Sequence, residues 1–239
     1  SIQSVTFPLH LIKLGSYSFL DCELLQKVEF ESNSNLQSIG DGTFSNSYIE
    51  KVTFPAHLLK IGCEAFSHCK NLKCVEFPSN CELQTIEKIT FYDSSIEKIT
   101  FSVNLSKIGD GAFSECSELL HVIFPDDSKL EIIETDAFSE SSIESIKIPT
   151  HVKKICHDTF TFCRNLKKIE FSENSELEEI EKNAFYESSI ESVLIPYNLK
   201  KIKESAFSNC KNLREVKFPE NSELQIIEKD AFFDSPIEC

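Results

Sequence analysis

The sequence predicts an α/β repeat solenoid, a right-handed coil with a curved parallel β-sheet on one face and short turns or single helical turns on the other. Three observations predict it. Strand-like hexamers begin at Ile2, Leu25, Ile49, Leu72, Ile96, Leu119, Ile143, Leu166, Ile190, Leu213 and Ile237, at intervals alternating between 23 and 24 residues without exception. Phenylalanine recurs at one fixed place in all ten complete units: Phe19, Phe44, Phe66, Phe91, Phe113, Phe138, Phe160, Phe185, Phe207 and Phe232. No unit can bury its own apolar residues, so the units must stack and share one continuous core.

Each unit opens with a strand. In the unit spanning 49–71, counted from zero, apolar side chains fall at +3 (Val52), +5 (Phe54), +9 (Leu58), +12 (Ile61) and +17 (Phe66). Side chains alternate across a strand, so +3 and +5 point into the stack while +2 and +4 point out. Pro8, Pro55, Pro78, Pro125, Pro149, Pro196 and Pro219 follow at +6. They stop the strand, because proline has no N–H to give to a ladder. Even units, such as 166–189, carry two extra residues in the next loop, moving the later apolar positions to +11 (Leu177), +14 (Ile180) and +19 (Phe185). A shorter last connection recovers one residue, which explains 24 rather than 25. The return path is too short for a long helix, so tight turns or about one helical turn are expected around Gly109–Phe113. Burying each column phenylalanine is worth about 1.5–3 kcal/mol before entropy is subtracted.

Residues 1–239 read as a single domain of ten alternating units and the start of an eleventh. Neither end carries a polar capping unit, so the chain is expected to be a fragment of a longer array. Its exposed strand edges would favour end-to-end self-association. The chain opens at Ser1 with no basic-then-apolar leader. No apolar run approaches the roughly 18 residues of a membrane span, so no membrane insertion is expected in this segment. The net charge of -15 opposes binding to nucleic-acid phosphates. No phosphate-cradling glycine loop and no nucleophile elbow occur, so neither a cofactor nor an enzymatic activity is expected.

The motif in Pro55–Cys69 (PAHLLKIGCEAFSHC), repeated in its second half at Gly109–Cys116 (GDGAFSEC), resembles the BspA-like leucine-rich repeats of bacterial and protozoan surface proteins. The resemblance covers essentially the whole chain. It departs where the column of Gly15, Gly62 and Gly109 continues as Cys156 and Lys203. The resemblance implies a leucine-rich-repeat coil at the cell surface or secreted, binding a host, matrix or cell-surface protein. An intracellular scaffold and the ligand-binding region of a larger receptor or enzyme stay open as alternatives.

Cysteine follows the same period. Cys22, Cys69, Cys116, Cys163 and Cys210 are spaced by 47, with Ser47, Ser94, Ser141, Ser188 and Ser235 at the equivalent turn of even units. Strands about 4.8 Å apart put ladder cysteines about 10 Å from one another, beyond the roughly 7 Å that a disulfide tolerates between Cα atoms. They are expected as small buried thiols. Cys63 with Cys69 and Cys156 with Cys163 could each meet within a unit, and Cys74 and Cys239, at +2, are expected to be exposed. His10, His57 and His151 share the +8 turn position with Asn104 and Asn198, too far apart to share a metal. His157 beside Cys156 lacks a third partner for nucleophilic chemistry. Carboxylates of the even loops (Asp126, Asp127, Glu173, Glu176, Glu220, Glu223) match no calcium-binding spacing.

Register alone marks the outward strand face. Its +2 column reads Ser4, Lys27, Lys51, Cys74, Lys98, His121, Ser145, Lys168, Ser192, Glu215. Its +4 column reads Thr6, Glu29, Thr53, Glu76, Thr100, Ile123, Lys147, Glu170, Leu194, Lys217. Ile123 and Leu194 interrupt a polar column, and Leu120 adds a third aliphatic group. The candidate partner-binding residues are therefore Leu120, His121 and Ile123, flanked by Lys98 and Lys147, together with Leu194.

Overall fold

The computed structural model describes residues 2–31 and 33–238, and among them it contains twenty short strands and no helix. Each coil supplies two. The first five coils give β1 (Ser4–Phe7), β2 (Lys13–Leu14), β3 (Lys27–Phe30), β4 (Ser38–Ile39), β5 (Lys51–Thr53), β6 (Lys60–Ile61), β7 (Cys74–Glu76), β8 (Thr85–Ile86), β9 (Lys98–Thr100) and β10 (Lys107–Ile108). The next five give β11 (His121–Ile123), β12 (Ile132–Ile133), β13 (Ser145–Ile148), β14 (Lys154–Ile155), β15 (Lys168–Phe171), β16 (Glu179–Ile180), β17 (Ser192–Leu194), β18 (Lys201–Ile202), β19 (Glu215–Lys217) and β20 (Ile226–Ile227). Odd-numbered strands form one ten-stranded sheet in chain order, even-numbered strands a second, and all pairings are parallel.

The first sheet keeps the register read from the spacing. Ser4, Lys27, Lys51, Cys74, Lys98, His121, Ser145, Lys168, Ser192 and Glu215 stand side by side across it. The second sheet leaves no trace in the alternation pattern because its strands are only two residues long. Its inward residue is the isoleucine or leucine of each return path, from Leu14 and Ile39 to Ile202, which are buried.

The anticipated helical turn does not form. Every coil instead holds two residues four apart in the left-handed region: Tyr17 and Asp21, Gly42 and Asn46, Glu64 and His68, Ile89 and Asp93, Gly111 and Glu115, and so on to Asp230 and Asp234. An α-helix needs right-handed φ at every position, so this pairing excludes it. The pairing aims alternate N–H groups along the stack. Gly111, Phe113 and Glu115 donate to the carbonyls of Thr135, Ala137 and Ser139 on the next coil at 2.9, 2.8 and 2.8 Å. The intervening N–H groups close the turn locally, Ala112 onto Gly109 at 3.2 Å and Ser114 onto Gly111 at 3.1 Å. The same ladder recurs along the array, so these turns satisfy their backbone without helix.

Phenylalanines stack along the core without a gap. Successive ring centroids lie between 4.9 Å (Phe185 to Phe207) and 5.5 Å (Phe66 to Phe91), with near-parallel planes. Phe44 to Phe207 are buried completely, whereas Phe19 and Phe232 on the first and last coils are half-buried. From Phe44 onward a small residue precedes each ring inside the core. It is alanine in most coils; where it is threonine, the hydroxyl donates to the carbonyl three residues back, as from Thr90 to Glu87 at 2.7 Å. In four of the five longer even loops a serine shapes the turn: Oγ of Ser34, Ser128, Ser175 and Ser222 accepts the N–H two residues on, at 3.3 Å, while Cys81 holds the same place in the fifth.

The serine and cysteine ladders interlock. Oγ of Ser47, Ser94, Ser141 and Ser188 lies 3.3–3.5 Å from Sγ of Cys69, Cys116, Cys163 and Cys210. Each thiol donates to the carbonyl of Phe44, Phe91, Phe138 or Phe185 at 3.1–3.2 Å. Burial pushes these thiols up, to about 11 for Cys69, Cys116 and Cys210 and to about 12 for Cys163. Cys22, on the first coil, is only half-buried. All nine described cysteines are free, so neither Cys63 and Cys69 nor Cys156 and Cys163 are bonded. Cys74 departs from expectation: it is half-buried, since its short side chain sits between the longer Lys51 and Lys98. Cys239 lies outside the described residues.

Candidate protein-binding face

The outward face of the first sheet is built from three exposed columns, at +1, +2 and +4 of each coil. Cross-strand and same-strand ion pairs tie down part of it: Lys27 with Glu29 at 2.8 Å, Lys51 with Glu76 at 2.7 Å, Lys168 with Glu170 at 2.5 Å and Lys217 with Glu215 at 2.9 Å. The Lys27 ammonium, by its hydrogen bond, holds the Glu29 carboxyl below its usual range, and Lys51 does the same for Glu76 with help from Thr53. These pairs are solvated and contribute little to stability, but they leave their charges neutralised within the chain.

The coil of β11 breaks this pattern. The +1 column otherwise carries Gln3, Gln26, Glu50, Lys73, Glu97, Glu144, Lys167, Glu191 and Arg214, and at this coil it carries Leu120. Leu120 is 36 % exposed and Ile123 is 40 % exposed, with His121 exposed between them. Lys98 pairs in register with His121, and Thr100 with Ile123. Of the four lysines in the +2 column, Lys98 is the one without an ion pair among the described residues. Lys98, Leu120, His121 and Ile123 thus come together.

Lys147 and Leu194 do not join them. β11 and β13 share one residue pair, His121 with Ser145, so the strands diverge before Lys147 is reached. Lys147 turns instead to Asp126, 3.1 Å away. Leu194 stands three strands along from Ile123, on the order of 14 Å at about 4.8 Å per strand. It is 63 % exposed and belongs to a second apolar cluster with Tyr197 and half-buried Phe171.

That cluster lines a groove of about 1030 Å³, and a counterpart of about 830 Å³ opens near Phe30, Thr53 and His57, 141 residues earlier. Both grooves are steps in the sheet. β3 and β15 run on to a fourth residue, Phe30 or Phe171, while β5 and β17 stop at their third, and only one residue pair joins the strands across each step. Glu31 and Ser172 stand at +6 in those two even coils in place of proline. Tyr197 lies beyond the strand, outside the +2 and +4 columns, so register alone does not mark it.

The other candidate chemistries resolve into local bonds. His57 and His151 contact Glu82 and Glu176 of the following coils at 2.9 and 3.0 Å. In the same column, Asn104 and Asn198 donate to the carbonyls of Cys81 and Ser175 at 3.0 and 2.7 Å. The His157 ring contacts the Lys182 carbonyl at 3.1 Å and Asp158 at 3.0 Å. Burial pushes the neighbouring Cys156 thiol up to about 11. Among the described residues no three His, Cys, Asp or Glu side chains gather as metal ligands, and no helix is long and apolar enough to cross a membrane.

Comparison with known proteins agrees with this geometry. The family model for the BspA type leucine rich repeat region matches in six copies, over residues 1–120, 37–150 and 131–239. No curated protein matches the chain. Among solved structures, the pneumococcal vaccine antigen PcpA aligns with a TM-score of 0.58 at 22 % identity, over 99 % of this chain and 69 % of its own. A leucine-rich repeat protein from Bacteroides ovatus aligns with a TM-score of 0.55 at 21 % identity, over 98 % of this chain and 76 % of its own. The leucine rich repeat protein of T. pallidum gives 0.54 at 22 % identity, over 88 % of this chain and 78 % of its own. At such identities the structural likeness speaks for the fold, and the repeat matches, which span the chain from end to end, speak for descent. This chain belongs to the family of BspA-type leucine-rich repeat proteins.

Proposed function

We propose that this chain is a non-enzymatic, protein-binding array of the cell surface, which adheres to host or matrix proteins through the outward face of its first sheet. The observation that carries the reading is a sheet of ten parallel strands whose +2 register runs through all of them. It holds three exposed side-chain columns on a rigid surface and interrupts them with aliphatic groups at Leu120, Ile123 and Leu194. Such a face suits several modest contacts acting together. The surface location is supported by the family and by the fold shared with a pneumococcal vaccine antigen. The non-enzymatic reading is supported by the thiol beside His157, which is held protonated, and by an imidazole that hydrogen-bonds elsewhere.

Immobilised extracellular-matrix proteins presented to the chain by biolayer interferometry test the proposal. Binding is expected, with Ile123→Asp and Leu194→Asp each weakening it about tenfold, the loss of one well-placed anchor of roughly 1.4 kcal/mol. Binding that survives both substitutions would move the contact off this face. A second reading, an intracellular scaffold, is favoured by one observation: all nine described cysteines are free thiols, as a reducing compartment permits.

A further inference from the structure

We infer that the ledge formed by Lys98, Leu120, His121 and Ile123 captures an extended segment of a partner protein carrying one carboxylate beside an aliphatic or aromatic side chain. The inference rests on the protein-binding reading above and adds the chemistry of the partner. Elsewhere on the face each +2 lysine is already neutralised by a glutamate of this chain, so an incoming carboxylate would have to displace it. Lys98 has no such competitor. Its neighbours in the column are Cys74 and His121, and Lys73 occupies Glu97, the acid one residue ahead of it, at 3.1 Å. An exposed ammonium is thus available next to Leu120 and Ile123, two aliphatic groups left partly open to solvent.

Charge limits what the segment can carry. Residues 96–142 contain ten Asp and Glu against three Lys, so they hold much of the net charge of -15. Those acids sit mainly on the loops and turns, among them Asp110, Glu115, Glu118, Asp127, Glu131 and Glu140. A partner with an acidic run would be repelled during approach, whereas a single carboxylate meets Lys98 within the roughly 8 Å over which salt leaves a surface charge unscreened. An apolar side chain on the same segment, two residues along, would lie over Ile123, since +2 and +4 share one face of the strand.

A phage-displayed library of random linear peptides, selected on the whole chain at physiological salt, tests this. Recovered peptides are expected to pair one Asp or Glu with Leu, Ile, Val or Phe within two residues. Their synthetic versions should bind Ile123→Asp at least about tenfold more weakly, and Lys98→Ala about threefold. Selection on Lys98→Glu should exchange the carboxylate for Lys or Arg. Both positions are exposed, so an unchanged melting temperature confirms that the variants fold. Peptides lacking a carboxylate, indifferent to both substitutions, or absent altogether would overturn the inference. Peptides that instead lose affinity with Leu194→Asp would overturn it while leaving the strand face as the binding surface.

Discussion

Replacing Phe113 by alanine probes the core in the middle of the array. The ring is fully buried, stacked on Phe91 at 5.2 Å and Phe138 at 5.4 Å, and edge-on to Phe101 at 5.8 Å. Removing a buried phenylalanine costs about 3–5 kcal/mol, and three aromatic partners lost at once, each worth about 0.5–1.5 kcal/mol, place this site at the upper end. Phe232 is the comparison: half-buried, with one stacked neighbour, Phe207, at 5.3 Å. Its replacement should cost about 1–2 kcal/mol, roughly half the burial and one ring contact. Urea unfolding followed by far-UV circular dichroism measures both. In an array whose coils touch only their neighbours, a central lesion also uncouples the two flanks. Phe113→Ala should therefore broaden or split the transition and lower its m-value, while Phe232→Ala shifts the midpoint at constant m. Equal costs for the two variants, with one sharp transition in each, would refute the stacked-column account.

Two glycines of one turn should fail for different reasons. A Cβ on Gly109 would lie 2.8 Å from the Glu87 backbone, so Gly109→Ala should cost about 1–3 kcal/mol and Gly109→Asn more. A Cβ on Gly111 would make only ordinary contacts, the nearest to Ile89 Cγ1 at 3.7 Å, but φ there is +58°, so Gly111→Ala should cost about 1 kcal/mol and Gly111→Asn less, since asparagine tolerates that region; thermal melts of the four variants decide it. Glu179 accepts from Lys154 at 2.8 Å and Lys201 at 3.3 Å, and chiefly the Lys154 bond holds its carboxyl down to about 2. Because the folded value is depressed, its stabilisation is present above the ordinary 4.5 and is lost as pH falls towards about 2. Glu179→Gln should thus lower stability by about 1 kcal/mol at neutral pH and change nothing below about pH 2. The buried thiols behave in the opposite range. Folded Cys69, Cys116 and Cys210 stay protonated to about 11 while unfolded cysteine ionises near 9.0, so stability should fall as pH rises between those values. At pH 8 a native thiol titration should leave these three and Cys163 unreacted, and urea should release them; labelling of Cys163 in the native chain would contradict the ladder.

The parts of the fold that repeat side chains were legible; the parts made by backbone alone were not. The spacing of Val52, Phe54 and Phe66 placed the first sheet, the phenylalanine column and the neighbours along the +2 column. The second sheet escaped because two residues, such as Lys107 and Ile108, are too few to show alternation. The turns escaped because their left-handed positions are rarely glycine: Tyr17, Glu64, Ile89 and Phe162 occupy them, held there by hydrogen bonds to the next coil that no local sequence rule records. At the candidate site, register correctly brought Lys98, His121 and Ile123 together. It could not show that β13 peels away and that Asp126 claims Lys147. Nor did it reveal the step that gives Leu194 a groove of its own with Tyr197.

Zero-length carbodiimide cross-linking, read by peptide mass spectrometry, examines the stacking most directly. Lys51 and Glu76, Lys73 and Glu97, Lys107 and Glu134, Lys154 and Glu179, and Lys182 and Glu204 are in contact at 2.7–3.1 Å. All of these pairs are separated by one coil, 22 to 27 residues. Cross-links beyond the immediate neighbourhood should cluster at that separation along the whole array. A spread of separations with no such cluster, or links that skip coils, would mean that residues one repeat apart are not neighbours.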